Sequence, residues 1–321
     1  MSINKTPVEV LGFTAYLQHN NYSPATIDRY TRHVASLEAW YSLEVINCQK
    51  KDILTYLNYL KTKKKLSVNS RNNALIALRH YFDYLLQENQ VATNPTHLIK
   101  LRGLNKRTLI HIYNLEELEQ LADAYYQLEV RRTQENLQQG KGGYLQQRAY
   151  YAKLRNYAVL QLFIYQGLHT REVLQLKTDD LQLQKATIHI AKGSTRGNAR
   201  TLPLNAMQIG TLMQYLHEVR PELQTANTDN TLFLPIPKKH PKANKQPELC
   251  FKGLNRQLER FDRNYTSLVQ LRSSVITYWI STQGLRKAQY LAGHKSISST
   301  ESYIPNLIED LAEDITKFNP F

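Results

Sequence analysis

Residues 271–303 read LRSSVITYWISTQGLRKAQYLAGHKSISSTESY, and this stretch decides which fold the chain is expected to adopt. It carries Arg272 in an apolar, helix-like run, the pair Gly293-His294, and Tyr303 nine residues beyond that histidine. Taken singly, each has an ordinary structural interpretation: a surface ion pair for Arg272, a helix end for His294 and packing for Tyr303. The order and spacing of the three, rather than any one of them, carry the information.

Upstream of this stretch, the pattern predicts a buried helix followed by a β-hairpin. Residues 156–168 are strongly apolar and predict the helix. Residues 186–190 and 200–204 predict two antiparallel strands, joined by a long tip that carries Lys192. Residues 231–234 predict one further edge strand, and the last seventy residues return to helical patterning.

The first hundred residues are patterned as short helices. Ser23-Pro24 predicts an N-cap with proline in the first turn, and the apolar residues that follow it recur at steps of three and four. Further helices are predicted from about Asp52 and from about Asn69. Beyond a basic linker, Asn114 and Glu117 have the spacing of a capping box and predict another helix start.

The composition favours a polyanionic partner. The chain has 321 residues and a net charge of +14, with 13 Lys and Arg against 7 Asp and Glu in residues 1–105 and 28 against 20 in the remainder. Both parts are therefore basic, which favours nucleic acid before an anionic membrane. No apolar run is long enough to span a bilayer. Cys48 and Cys250 have no CxxC spacing, so neither a disulfide framework nor a zinc site is indicated. A soluble, cytoplasmic protein is expected.

Taken in order, these segments resemble the tyrosine recombinase (phage integrase) family, including the bacterial Xer recombinases. The family pattern is H-x-L-R, a helix, L-G-H and a tyrosine nine residues beyond that histidine. Gly167-Leu168-His169-Thr170-Arg171-Glu172 lies where the family has G-L-R-x-S-E, Asp180 falls at an acidic position, and residues 200–204 resemble its R-x-x-P-L hairpin. The resemblance covers nearly the whole chain.

The resemblance implies a mainly α protein with a small β-hairpin or sheet in its second domain, an α+β fold. Residues 1–101 correspond to a SAM-like helical core-binding domain and residues 102–108 to a basic linker. Residues 109–321 correspond to the catalytic domain with its C-terminal helix. The implied partner is double-stranded DNA carrying a specific recombination site, bound by a homotetramer on two sites that is a monomer free in solution.

The implied function is site-specific recombination or integration through a 3′-phosphotyrosyl intermediate, serving a mobile element. By resemblance, Tyr303 is the nucleophile, Arg272 the phosphate clamp, Lys192 the general acid and His294 a partner of the phosphate or the tyrosine. Fixed guanidinium and imidazole donors stabilise the charge of the transition state, so neither a metal nor another cofactor is implied.

Two positions depart from the family pattern. His169 replaces the first catalytic arginine, and Val269, expected to lie in the core, replaces the histidine of H-x-L-R. DNA cleavage is expected to be less efficient unless another group supplies the two missing hydrogen-bond donors to the phosphate. Each such donor is worth about 3 kcal/mol. The hairpin tip is longer than the family's, so Arg196 rivals Lys192. The candidate substitutes at the phosphate are His169, Arg171 (only on a non-helical backbone), Arg196 and Arg200.

Basic residues outside this site are candidate DNA contacts. They are Lys61, Lys63, Lys64, Lys65, Arg71, Arg102, Lys106 and Arg107. The lysine run equally fits a solvated helix end. Two alternative functions stay open: a degenerate DNA-binding protein of the same fold without efficient cleavage, and a related topoisomerase or telomere resolvase.

Overall fold

Apolar residues at helical spacing form helices through most of both halves of the chain. The structure is a computed structural model that describes residues 8–103, 110–140, 143–192, 197–225, 230–237 and 251–307. The chain divides into two units, residues 1–108 and 109–321. No helix in the described ranges has both the length and the apolar character needed to cross a membrane.

The first unit packs four helices around an aromatic core. They are α1 (Val8–His19), α2 (Pro24–Trp40), α3 (Lys50–Thr62) and α4 (Val68–Gln87). Ser23 caps α2 as predicted, with its hydroxyl accepting the Thr26 amide at 3.3 Å. Helix α3 begins before Asp52, because this carboxylate closes a capping box on the Gln49 amide at 2.9 Å.

The second unit is built on a long buried helix. Its helices are α5 (Leu115–Tyr125), α6 (Arg132–Gln138), α7 (Tyr144–Gln166), α8 (Thr170–Gln175), α9 (Ala206–Gln214), α10 (Arg220–Leu223), α11 (Lys252–Phe261), α12 (Leu268–Gln283), α13 (Leu285–Ala292) and α14 (Ile297–Glu301). Two π-helical segments, Tyr126–Arg131 and Tyr215–Val219, join α5 to α6 and α9 to α10. Helix α7 is buried over the predicted apolar run and packs against α12.

A three-stranded antiparallel sheet carries the predicted hairpin. Its strands are β1 (Leu181–Gln182), β2 (Thr187–Ile190) and β3 (Arg200–Pro203), in the order β1-β2-β3. Ile188 pairs with Leu202, and both side chains face the core. The sheet places the start of β3, and with it Arg200, beside α13.

The edge strand predicted at residues 231–234 is wrong. Only Thr231 forms a bridge, to Lys177. The next three side chains are all buried, without the alternation of a half-exposed strand. The backbone there is satisfied partly by the Leu176 carbonyl, which accepts the Leu232 amide at 2.7 Å, and partly by side chains. Arg220 donates to the Thr231 carbonyl at 2.8 Å and the Tyr215 hydroxyl donates to the Leu232 carbonyl at 3.0 Å.

Candidate functional site

Arg272 is fixed between the C-terminal ends of two helices. It lies one turn into α12, and its guanidinium donates to the Gly167 carbonyl at the end of α7 and to the Ala292 carbonyl at the end of α13, the latter at 2.8 Å. The last carbonyls of a helix lack intrahelical partners and carry negative partial charge, so a guanidinium is stabilised there. Only 11% of the Arg272 side chain is exposed.

Glu172 connects three elements around Arg272. Both of its carboxylate oxygens accept hydrogen bonds from Arg200 of β3, at 2.7 and 3.1 Å. One oxygen also accepts the His169 amide at 2.7 Å and lies 3.6 Å from the Arg272 guanidinium. Burial raises the pKa of Glu172, but the hydrogen bonds and charges of Arg200 and Arg272 outweigh it and lower the pKa overall. The carboxylate therefore stays ionised at neutral pH.

His169 is the N-cap of α8. Its Nδ1 accepts the Arg171 amide at 3.1 Å, and its own amide donates to Glu172, so that the two residues form a capping box. An amide only donates, so Nδ1 carries no proton and the neutral ring holds its proton on Nε2. Burial, and then the charge of Arg272, lower the pKa of His169. The ring is exposed and presents a neutral donor.

His294 and Tyr303 complete the cluster on the far side of Arg272. The His294 Nε2 lies 3.4 Å from the Arg272 guanidinium, and its Nδ1 lies 2.9 Å from the hydroxyl of Thr300. The Tyr303 ring stacks on the imidazole, with centroids 5.9 Å apart and planes inclined by 15°. Tyr303 also interacts with Arg272 and raises the pKa of that guanidinium. Burial, Arg272 and then Arg200 lower the pKa of His294 to about 4.

The structure thus brings together Arg272, His294, Tyr303 and His169, and it attaches one arm of the hairpin to them. Gly197 forms a bridge with His294, and the amide of Asn198 donates to the Gly293 carbonyl at 2.9 Å. Lys192 is exposed on the other arm, two residues past β2. Within the described residues no hydrogen bond or ion pair joins Lys192 to the cluster, and Arg196 lies outside them.

Three expectations about neighbouring residues are corrected by this geometry. Arg171 is expected to replace the missing arginine only if the local backbone is not helical. It is the second residue of α8, so it lies on a helical backbone and is not the substitute. Arg200 is fully buried and bidentate with Glu172, so its guanidinium is not exposed to a phosphate. Val269 is 59% exposed in the first turn of α12 rather than part of the core.

The remaining candidate DNA contacts lie mostly in the first unit. Lys61 lies in the last turn of α3, and Lys63, Lys64 and Lys65 follow the helix, all exposed. Arg71 is partly buried in the first turn of α4, and Arg102 is exposed. Lys106, Arg107 and the C-terminal helix expected after residue 307 lie outside the described residues.

Sequence reasoning missed Thr300 and the connecting role of Glu172. Thr300 is one of four serines and threonines in a row of five residues, and nothing in that run indicates which one contacts His294. Glu172 matches the last residue of the family's G-L-R-x-S-E, which says nothing of its partners, and its second signal is the His-x-x-Glu spacing of the capping box. It is a weak signal, because histidine is not among the usual N-cap residues.

Gly293→Ala is expected to destabilise the fold by about 2 kcal/mol more than Gly140→Ala. Both glycines have positive φ, +70° and +68°, so both variants carry the strain of a left-handed backbone. At Gly293 a Cβ would also lie 2.5 Å from the Arg200 guanidinium, whereas at Gly140 it would meet no atom within 4 Å. Urea unfolding of the two variants measures the difference. Equal losses would show that Arg200 moves aside without cost.

Comparison with known proteins places this geometry in a family. Residues 144–309 match the model of the phage integrase family, and residues 10–91 match that of the phage integrase N-terminal SAM-like domain. The TnP I resolvase of Bacillus thuringiensis is 24% identical over 306 residues, which cover 92% of this chain and 95% of that protein. The tyrosine recombinase XerC of Natranaerobius thermophilus is 25% identical over 331 residues, covering 97% and 98%.

Solved structures agree on the fold. The Tn1549 transposon integrase in complex with circular intermediate DNA has a TM-score of 0.64 at 16% identity, covering 94% of this chain and 98% of that one. The XerH site-specific recombinase bound to palindromic difH substrate also has a TM-score of 0.64, at 20% identity, covering 94% and 84%. The predicted fold class, mainly helical with a small sheet and a SAM-like first domain, is confirmed.

Proposed function

The chain belongs to the phage integrase family and is a tyrosine recombinase, and we propose that it breaks and rejoins duplex DNA at a specific site through a covalent bond between Tyr303 and a 3′-phosphate. The observation that carries the assignment of residues is the cluster at Arg272. There one guanidinium interacts with Tyr303 and contacts His294, whose ring stacks on the same tyrosine.

The proposed chemistry is in-line phosphoryl transfer without a metal. The Tyr303 oxygen attacks the scissile phosphorus, the 5′-oxygen leaves, and the phosphotyrosyl bond keeps the energy needed for rejoining. Arg272 neutralises the charge on the non-bridging oxygens, and its fixation by two helix ends avoids reorganisation during the reaction. Lys192, exposed on a hairpin whose other arm contacts the cluster, donates a proton to the leaving oxygen. Arg200 and Glu172 act as positioning residues.

Residues 1–101 act in this proposal as the core-binding domain, residues 102–108 as a basic linker and residues 109–321 as the catalytic domain. The DNA contacts of the first two parts are mainly to phosphates, so affinity falls with salt. The residues proposed to make these phosphate contacts are Lys61, Lys63, Lys64, Lys65, Arg71, Arg102, Lys106 and Arg107. The protein acts in the cytoplasm, as a monomer that assembles into a homotetramer on two DNA sites, and serves a mobile element.

The alternative of a DNA-binding protein without cleavage is not favoured. The proposed nucleophile, Arg272 and His294 lie together in a cluster that binding alone does not require. Cleavage is nevertheless slower than with two arginines at the phosphate. His169 supplies a neutral donor in place of a cation, and Val269 can neither donate nor accept.

His169→Arg is expected to accelerate cleavage about tenfold at pH 8, because it adds a permanent cation beside Arg272. This gain in cleavage rate is smaller than that expected from a full phosphate donor. The substitution also removes the N-cap of α8, which is worth about 1 kcal/mol. His169→Asn, which keeps a capping oxygen, should give no acceleration.

The gain from His169→Arg should also depend on pH. The pKa of His169 is lowered, so the wild-type ring becomes a cation only below its usual titration range. Falling pH protonates the histidine and leaves the arginine unchanged. The rate ratio of variant to wild type should therefore be largest at pH 8 and shrink toward pH 5. A constant ratio, or no acceleration, would contradict a role for residue 169 at the phosphate.

The proposed function is tested with a pool of nicked duplexes that share a randomised central segment. A nick beside the cleavage point lets the released strand diffuse away, so that the covalent adduct accumulates and survives denaturation. Trypsin and nuclease digestion should leave a nucleotide on the peptide beginning at Ser296, in which Tyr303 is the one tyrosine. Absence of any adduct across the pool, or an adduct on another residue, would sink the proposal.

A further inference from the structure

Two imidazoles flank Arg272, and their ring nitrogens are engaged in opposite ways. His169 Nδ1 accepts the Arg171 amide at 3.1 Å, which leaves the proton of the neutral ring on Nε2. His294 shows the reverse arrangement. Its Nε2 lies 3.4 Å from the Arg272 Nη2, and a guanidinium has hydrogens to donate and no lone pair to accept.

The proton of the neutral His294 ring therefore lies on Nδ1, and this N–H donates a hydrogen bond to the Thr300 hydroxyl. The Thr300 hydroxyl lies 2.9 Å from that nitrogen and is fully buried in α14. A hydroxyl accepts as readily as it donates, so it suits an N–H that no water reaches. The other tautomer would point Nε2–H at the hydrogens of Arg272, which is repulsive.

We infer that the two histidines are held in opposite tautomers, His169 as a donor and His294 as the acceptor of the Tyr303 proton, and that Thr300 is the positioning residue that keeps His294 in the acceptor form. This inference rests on the proposed function, and it adds the group that receives the proton of the nucleophile.

Arg272 brings the donor and the acceptor of this transfer to the same place. The Tyr303 hydroxyl and the His294 Nε2 both contact that guanidinium, and the two rings stack in parallel. His169 offers no lone pair at Nε2, and Val269 has no titratable group.

The proton balance of the step is complete. Arg272 first releases the His294 Nε2 as it binds the phosphate. The O–H bond of Tyr303 then breaks and its proton passes to this nitrogen, giving an imidazolium with protons on both nitrogens. The electron pair of the phenolic oxygen forms the new bond to phosphorus. The bond from phosphorus to the 5′-oxygen breaks, and that oxygen takes a proton from Lys192, the general acid of the proposed function. Rejoining reverses each transfer.

The charges around His294 keep its Nε2 unprotonated before DNA binds. Arg272 of α12, Arg200 of β3 and Glu172 of α8 face the ring, with Tyr303 stacked on it. Burial and the two arginines lower its pKa to about 4, so the ring is neutral at neutral pH. A phosphate bound at Arg272 offsets part of that positive field and makes the nitrogen a better base.

The tautomers are read directly by NMR of the full chain with 15N-labelled histidine, without DNA. Long-range correlations distinguish a protonated from an unprotonated ring nitrogen, and His294→Gln and His169→Asn assign the two rings among the ten histidines. We expect Nδ1–H for His294 and Nε2–H for His169. Thr300→Ser should keep the His294 tautomer, and Thr300→Val should lose it. A wild-type His294 protonated on Nε2 would overturn the inference.

Single-turnover cleavage of the selected duplex provides the functional readout. Thr300→Val should slow adduct formation about tenfold, the worth of one buried hydrogen bond, and Thr300→Ser should restore it. Thr133→Val is the matched control. Thr133 is also buried and hydrogen-bonded, to Lys153 at 2.7 Å, but lies in α6, outside the cluster, so its loss should leave the rate unchanged.

The outcomes separate this inference from the proposed function. If wild type forms no adduct, the proposed function fails, while the NMR result still decides the tautomers. If wild type forms the adduct and Thr300→Val does so equally fast, the positioning role is wrong. A slow Thr300→Val that Thr300→Ser does not rescue would likewise contradict it, since serine retains the accepting hydroxyl.

Discussion

Replacing Tyr303 with phenylalanine is expected to abolish the covalent adduct and to leave the affinity for duplex DNA almost unchanged. Phenylalanine keeps the ring that stacks on His294 and packs against the core, and it removes only the oxygen that attacks phosphorus. Affinity depends on cations spread over a chain of net charge +14, and none of these is altered. Cleavage and binding are therefore expected to separate completely in this variant.

The measurement pairs an adduct assay on the nicked duplex with binding titrations at several salt concentrations. Tyr290→Phe is the control, because Tyr290 is 56% exposed on α13 and retains its neighbours after the change. It should form the adduct at the wild-type rate. An adduct that persists in Tyr303→Phe would assign the nucleophile to another side chain, with the serines of α14 as the first to examine.

The sequence predicts the main elements of this site because they depend on local spacing. Arg272, His294 and Tyr303 are separated by short helices whose lengths fix how far each side chain lies from the next. The hairpin is predicted from alternation and from its flanking turns, and its strands form over residues 187–190 and 200–203. In each case the helices and strands are predicted from patterns that span a few residues along the chain.

Other features depend on partners distant in sequence, and these the sequence does not reveal. Arg200 looks like a candidate phosphate ligand until Glu172, 28 residues away, is found to hold its whole guanidinium. Val269 looks like a core residue because an apolar side chain carries no information about which face of α12 it occupies. His169 is an exception: it looks like a lost arginine, but its tautomer is decided locally, because it is the N-cap of α8 and accepts the Arg171 amide.

Glu172→Gln is expected to lower the free energy of unfolding at pH 7 by about 4 kcal/mol, the usual cost of breaking a buried ion pair by removing one partner. The fully buried Arg200 would keep its charge and lose both carboxylate oxygens. A glutamine amide cannot accept on both sides, and its NH2 group would face the donors of the guanidinium. The variant should also cleave at least about a hundredfold more slowly, because the carboxylate that aligns His169 with Arg272 is lost.

The matched control is Glu135→Gln, which removes the same charge from an exposed pair with Arg131. Both partners there are more than half exposed, 51% and 59%, so a loss of about 0–1 kcal/mol is expected. Similar losses for the two variants would contradict the connecting role assigned to Glu172.

The pH dependence gives the prediction on Glu172 a second, independent test. The pKa of Glu172 is lowered in the folded chain, so its contribution to stability is fully present above the ordinary pKa of glutamate and is lost as the pH falls through the folded value. The difference in unfolding free energy between wild type and Glu172→Gln should therefore be constant from pH 7 to about pH 5 and shrink below about pH 4. Urea unfolding across this range measures it. A difference that persists undiminished at acid pH would mean that the shape of the side chain, and not its charge, holds Arg200 in place.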